Sequence, residues 1–310
     1  MATAKEIKSR KKSIADTMKI TKAMYLISST KLQKAKKNLA DTEPFFYGLQ
    51  DQISRILRHT VGFEHHYFGN RAEDTERGVR NIAYIVVSAD KGLAGAYNHN
   101  VFKTAEALIA KNPEKSKLYI IGELGRQYFT SHGYSITEEF RYTAQNPTMR
   151  RARVITERIM ELYDNDQLDE VHIIYTRMIN SLNSEVDNMQ LLPLKKTDFK
   201  LDIPAAALAG TYQEEFHMIP SEKDVFERIV PNYVTGIIYG ALIESYSSEQ
   251  NARMQAMQSA TDSAEKMMHD LSIQYNRVRQ SAITQEITEV VGGARALQRN
   301  KSKMAEEEIE

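Results

Sequence analysis

The chain has no cysteine among its 310 residues. That excludes a disulfide framework, a thiol switch and any zinc-finger spacing. No apolar run approaches 18 residues, so no segment reads as a membrane span. Basic and acidic side chains balance at 41 each, which leaves no net field to steer the whole chain towards nucleic acid or a membrane surface. The opening residues show neither the apolar core of a signal peptide nor an Arg/Ser-rich transit segment, and the expectation is an intracellular protein that spans no membrane. Phosphate-binding fingerprints are missing too: neither G-x-G-x-x-G nor G-x-x-x-x-G-K-[ST] occurs.

The most informative absence is local. Ala241 to Val291 is 51 residues with no Gly and no Pro. Within it, Met254, Met257, Thr261, Ala264, Met268, Leu271, Tyr275, Val278 and Ala282 recur at alternating spacings of three and four. This 3.5-residue period is the seam of a helix supercoiled against a partner. At 1.5 Å per residue the uninterrupted part is roughly 75 Å long.

The partner pattern lies at the other end of the chain. Ile7, Lys11, Ile14, Met18, Thr21, Tyr25, Ser28, Leu32, Ala35 and Leu39 keep the same alternation, and Thr42, Phe46, Leu49, Ile53 and Ile56 continue it. Pro44 is expected to kink the helix or start a new one. An antiparallel intramolecular pair is the simplest arrangement, with a thin seam rich in Met, Thr, Ser and Ala. The C-terminal helical region (221–298, with Pro231 as a break near its start) is longer than the N-terminal one (1–57). The last ~25–30 Å of the C-terminal helix therefore has no partner in this chain. There the stripe passes to Ile283, Ile287, Val290, Val291, Ala294 and Leu297, a mainly apolar tip expected to sit inside another protein.

Between the helices lies a region of different character. A polar linker is expected at 58–81 and a connector at 195–220, containing Pro204 and Pro220. Over 82–194, strands at Ile82–Val87, Leu118–Ile121, Tyr134–Thr137 and Glu170–Thr176 alternate with helices at Val101–Lys111, Gly125–Ser131 and Thr148–Tyr163. An edge strand at Met189–Leu194 is stopped by Pro193. This alternation predicts an α/β, Rossmann-like domain with a mostly parallel sheet and flanking helices. The predicted fold is thus α/β plus a long antiparallel coiled coil, ending in a polar, acidic tail at 299–310.

The chemistry expected of this domain is slight. Lys91-Gly-Leu-Ala-Gly95 after a strand admits a phosphate-loop reading, but a tight strand-to-helix turn explains its glycines as well. Gly236-Ile-Ile-Tyr-Gly240 suits close helix packing. His65-His66 has no ligand-spaced partner, and nothing positions Asp90 or Lys91 as acid or base. The expectation is no catalytic residue, no cofactor and no metal. Residues 1–40 carry eleven basic side chains against Glu6 and Asp16, a local net of +9. This is either a solvated coiled-coil face or a contact for acidic loops of a partner. Two other classes stay open on these residues. One is a coiled-coil basic-helix nucleic-acid binder using 5–37, with steeply salt-dependent affinity. The other is a small α/β enzyme with a coiled-coil dimerisation arm, expected to hold a ligand in a pocket near Asp90–Tyr97.

Three stretches then carry a resemblance. Lys5-Glu-Ile-Lys-Ser-Arg with Met18-Lys-Ile-Thr-Lys-Ala-Met24, then Ser88-Ala-Asp-Lys-Gly-Leu-Ala-Gly-Ala-Tyr-Asn98, and finally Ser248–Met257 with Tyr275–Ala294 together resemble the gamma subunit, or central stalk, of F-type rotary ATP synthases. The resemblance covers about 1–298. Ala94 stands where many members carry Cys, Ser263 stands where Asn is common, and the tail from Gln298 runs past the usual end. The cysteine-bearing insert of chloroplast members is missing, so thiol regulation is not expected.

The resemblance implies a non-catalytic rotor that couples rotation of the membrane c-ring to ATP synthesis or hydrolysis on the beta subunits. The implied partners are the alpha and beta subunits, the epsilon subunit and the c-ring. Nucleic acid is not among them, and the membrane is met only indirectly through the c-ring. The implied location is peripheral, on the cytoplasmic face of the bacterial inner membrane. By motif, Arg279 and Gln280 are the polar catch on a beta-subunit loop, Thr284 and Glu286 belong to the same coupling region, and Met24 and Lys22 lie opposite on the N-terminal helix. Lys8, Arg10, Lys11 and Lys12 are candidate contacts of the basic helix. The plainer readings are helix packing for Met24 and exposed helix charges for Arg279 and Glu286.

Overall fold

The computed structural model describes residues 3–59, 64–68, 81–140, 144–199, 218–219 and 221–307, with the backbone alone at His59 and after Leu297. Most of the linker expected at 58–81 and of the connector at 195–220, with Pro204 and Pro220, lies outside them. So do the side chains of the 299–310 tail. The described elements are α1 (Ala4–His59), β1 (Ile82–Val87), α2 (Tyr97–Ile109), β2 (Ser116–Ile121), α3 (Glu123–Ser131), β3 (Ile136–Phe140), α4 (Met149–Asp164), β4 (Glu170–Met178), β5 (Ser184–Leu192), a 3-10 turn (Lys196–Phe199) and α5 (Glu222–Glu307). Two compact units divide the chain: 1–26 with 257–310, and 27–256.

In the larger unit a five-stranded sheet has the order β3-β2-β1-β4-β5. The first four strands are parallel and β5 returns antiparallel on β4. Strand β1 is buried at all six positions, as a continuous β-branched run covered on both faces should be. Its alternation divides two cores. Ala83, Ile85 and Val87 face a layer holding Ile155 and Ile159 of α4 together with Ile53, Phe226, Val230, Val234 and Ile238 of the long helices. Ile82, Tyr84 and Val86 face Val101, Phe102 and Ala105 of α2 and Phe129 of α3. The long helices thus supply part of one layer of the α/β domain.

Within this unit α1 and α5 run antiparallel. Ala35 and Asn38 line the same cavity as Ile243 and Tyr246, and further along α1, Phe46 packs on Tyr239 with ring centroids 6.4 Å apart. The approach is closest at Gly236, where an added Cβ would lie 2.0 Å from Phe46 Cδ1. Gly240 has nothing within 4 Å, so only the first glycine of the pair serves close packing.

Several expectations are corrected. Pro44 does not interrupt α1 and Pro231 does not interrupt α5. Pro44 falls on an exposed face of the helix, where water can satisfy the carbonyl that loses its amide partner. The third strand starts at Ile136 rather than Tyr134, because Tyr134 N donates to Phe129 O and closes α3 instead. The expected edge strand at Met189–Leu194 is longer and starts at Ser184. Asn180 Oδ1 accepts from Leu182 N and Asn183 N and turns the chain back antiparallel.

In the smaller unit the expected seam is present. Ile7 and Thr21 are buried on α1, as are Met257, Thr261 and Ala264 on α5, and Met268, Leu271, Tyr275 and Val278 are half-buried. Ala282, expected as the last seam residue, is exposed, as is every residue from 281 to 297. The first helix begins at Ala4, so α5 has outrun its partner.

Candidate coupling sites on the long helices

Two polar constellations stand out, and the one in the larger unit lies at the sheet. In the order 3-2-1-4-5 the chain leaves β1 through α2 towards β2 on one side, while β4 turns directly back into β5 on the other, so the two central strands part in opposite directions at their carboxyl ends. That switch point is where doubly wound domains bind their ligands. Here α5 occupies it. Ser248 Oγ donates to Thr176 O at the end of β4, 3.1 Å away. The Arg253 guanidinium donates to Lys91 O at 3.0 Å and to Gly92 O at 3.0 and 3.3 Å, in the turn after β1. Tyr97 Oη lies 2.6 Å from Ser245 Oγ. On the other side Asn251 Nδ2 donates to Ser181 O at 3.0 Å.

The charges at this crevice are committed internally. Glu249 is 2 % exposed and pairs with Arg253 at 2.6 Å. Burial raises the Glu249 pKa and the Arg253 charge offsets part of that. Burial also raises the Tyr97 pKa, with Glu249 adding to it. Asp90 accepts from Glu123 N and Gln145 N, both at 3.1 Å, so its carboxylate holds two loop segments. The turn itself bends at Gly95, whose φ of 56° suits glycine. This geometry anchors a helix and commits the Asp90 and Glu249 carboxylates, beside a cavity lined by Gly95, Tyr97, Asn100 and Thr176. The sequence reading did not single out Glu249 or Arg253 individually. Residues 241–253 are buried on nearly every side, so no amphipathic period marks them. Their signal is a run of consecutive polar residues inside the Gly- and Pro-free stretch 241–291 of the helix.

The second constellation is in the smaller unit. Thr21 and Thr261 join hydroxyls at 2.7 Å, and Lys22 Nζ lies 3.1 Å from Glu265 Oε1. Lys22 therefore meets α5 fourteen residues before Arg279, roughly 21 Å along the helix at 1.5 Å per residue. Met24 is half-buried, Lys8, Arg10 and Lys12 are exposed, and Lys11 is half-buried on the seam. Arg279, Gln280, Thr284 and Glu286 all lie on the unpaired end of α5 and are exposed. Thr284 Oγ1 donates to Gln280 O at 2.9 Å. Beside them Ile283, Ile287, Val290, Val291 and Leu297 are exposed apolar side chains, Val290 at 72 %. The structure thus separates the candidate residues into a paired basic stretch and a single-helix tip. No group of three or more His, Cys, Asp or Glu suited to a metal occurs among the described residues, and no described helix is long and apolar enough to cross a membrane.

Comparison with known proteins agrees with this architecture. The sequence profile described as ATP synthase matches residues 3–297. The ATP synthase gamma chain of Ruminiclostridium cellulolyticum is 44% identical over 294 residues, covering 95% of this chain and 98% of that protein. The ATP synthase gamma chain of Acetivibrio thermocellus is 42% identical over 302 residues, covering 96% and 100%. Among solved structures, a chain of the Euglena gracilis mitochondrial ATP synthase (OSCP/F1/c-ring, rotational state 3) superposes with a TM-score of 0.61 at 16% identity, covering 95% of each chain, which is a likeness of fold. Profile, identity and coverage together place the chain in the ATP synthase gamma-chain family.

Proposed function

We propose that this chain is the central-stalk rotor subunit of an F-type ATP synthase, coupling c-ring rotation to ATP synthesis or hydrolysis on the beta subunits without catalysing either itself. The observation that carries the reading is the end of α5: from 281 to 297 a single helix exposes five large aliphatic side chains. Each contributes about 1.5–3 kcal/mol when fully buried, so an enclosing sleeve of alpha and beta subunits is a far better environment than water. Arg279, Gln280, Thr284 and Glu286 lie beside that apolar surface and are assigned as the polar catch towards beta. Lys22 and Met24, with Lys8, Arg10, Lys11 and Lys12, form a second contact zone towards acidic partner loops.

In this account the α/β domain and its end of the long helices meet the epsilon subunit and the c-ring, on the cytoplasmic face of the inner membrane. A stalk with no rotational symmetry of its own presents a different face to each of three beta subunits. Its orientation then sets which site binds tightly, a coupling free energy carried by contacts. The anchoring of α5 across the sheet crevice supports this role, because torque entering at the domain must reach the helix without slip.

The test is the Arg279→Ala/Gln280→Ala variant in membrane vesicles carrying the whole synthase. Ion pumping per ATP hydrolysed is expected to fall about fivefold or more, in the range of ordinary coupling energies, while the complex still assembles. Pumping at the wild-type ratio would remove these two residues from the catch.

A further inference from the structure

A cavity of ≈250 Å³ lies between α1, the turn at 144–147 and α5, all within the larger unit. Its floor is apolar, made by Ala35, Ile243 and Tyr246. Its rim carries the exposed Lys31 and Lys34, one helical turn apart and so on one face of α1. Asn38, Gln145 and Asn146 add amide groups to the wall. We propose that this cavity binds a small phosphate-bearing anion, either inorganic phosphate or a single phosphate ester.

The charge around the cavity favours an anion. Neither lysine pairs with a carboxylate within 4.0 Å among the described residues, although Lys31 is near enough to the buried Glu249 carboxylate to act on it through space. The nearby acids are already engaged: both Asp90 oxygens accept backbone amides, and Glu249 is held by Arg253. A third cation stands behind the wall, because Arg151 Nη1 donates to Gln145 O at 2.8 Å and to Asn146 O at 3.0 Å. Two ammonium groups on one face repel each other, and an anion between them relieves that repulsion and forms charge-assisted hydrogen bonds. The volume falls below the roughly 300–1,000 Å³ of pockets for drug-sized ligands, which argues against a dinucleotide. The cavity adjoins the crevice that α5 fills, sharing Gln145, whose amide Asp90 holds, and it does not depend on the rotor reading.

The experiment is calorimetric titration of the full chain with inorganic phosphate at fixed ionic strength. Saturable binding at one site is expected. Lys31→Ala/Lys34→Ala should weaken it at least tenfold, while Lys36→Ala/Lys37→Ala, with the same change of net charge on exposed positions of the same helix, should leave it within twofold. Helix content by circular dichroism confirms that each variant folds. Absence of saturable binding, or equal loss in both double variants, would overturn the proposal. Succinate titrated in the same way and binding as tightly as phosphate would also overturn it, reassigning the site to carboxylates.

Discussion

The hydroxyls of Thr21 and Thr261 lie 2.7 Å apart across 240 residues of sequence, both buried. Each is also placed to donate to its own helix, Thr21 to Met18 O and Thr261 to Met257 O. One hydroxyl proton therefore bridges the helices while the other is kept by a backbone carbonyl. Either Thr→Val change removes the bridge and leaves the other hydroxyl with its local acceptor. Each single variant should cost about 1 kcal/mol, and the double variant should cost clearly less than the sum, because one bridge cannot be lost twice. Chemical denaturation of the four proteins measures this; simple additivity would show that the hydroxyls do not interact.

Gly236 and Gly240 make a paired prediction of opposite sign. A methyl at 236 runs into the Phe46 ring, while one at 240 enters open space. Gly236→Ala should destabilise by about 1–3 kcal/mol through overpacking. Gly240→Ala should stabilise by about 0.5–1 kcal/mol, the ordinary gain of Ala over Gly within a helix. Thermal unfolding of both variants separates the two effects, and equal shifts would contradict the close approach of α1 to α5.

The buried Glu249–Arg253 pair makes a pH-dependent prediction. Removing Arg253 leaves a buried carboxylate without its partner and also releases the turn at Lys91–Gly92. Arg253→Ala should therefore cost about 3–5 kcal/mol near neutral pH. The sign of the pH effect follows from burial. A carboxyl whose folded pKa is raised contributes stability below its unfolded pKa of about 4.3 and loses it as pH rises through the folded value. Without Arg253 the Glu249 pKa rises further, so the deficit should shrink as the solution is acidified towards that pKa. Adding Glu249→Gln should recover much of it at neutral pH. Denaturation midpoints between pH 5 and 8 decide the matter, and a deficit independent of pH would mean that Glu249 is not the cause.

How much of this was legible in the sequence depends on how each segment meets solvent. The paired helices were legible because each has one buried stripe: Ile7, Thr21, Met257 and Thr261 stand out against charged neighbours at a 3.5-residue period. The overhang was legible from the difference in helix lengths. The α/β alternation was readable from β-branched runs such as Ile82–Val87. The bridging of Pro44 was not, because tolerance depends on which face meets water, and that is a tertiary fact. Strand β5 begins with Ser184-Glu-Val-Asp-Asn188, whose polar edge residues carry no burial signal. The anchoring of α5 was hidden for the opposite reason: Ser245, Ser248, Glu249, Asn251 and Arg253 are all buried, and in sequence such residues read as a solvated face. The apolar tip and the residues Arg279, Gln280, Thr284 and Glu286 could be located on α5, and the contacts proposed for them lie outside this chain.

The central claim is that the exposed end of α5 is enclosed by other subunits, and the cysteine-free chain allows a direct test. A single Val290→Cys change provides the only thiol in this subunit, and its alkylation can be timed in the isolated full chain and in the complex assembled with alpha and beta subunits. The account predicts rapid labelling of the isolated chain and strong protection in the complex. Equal labelling rates in the two would contradict it.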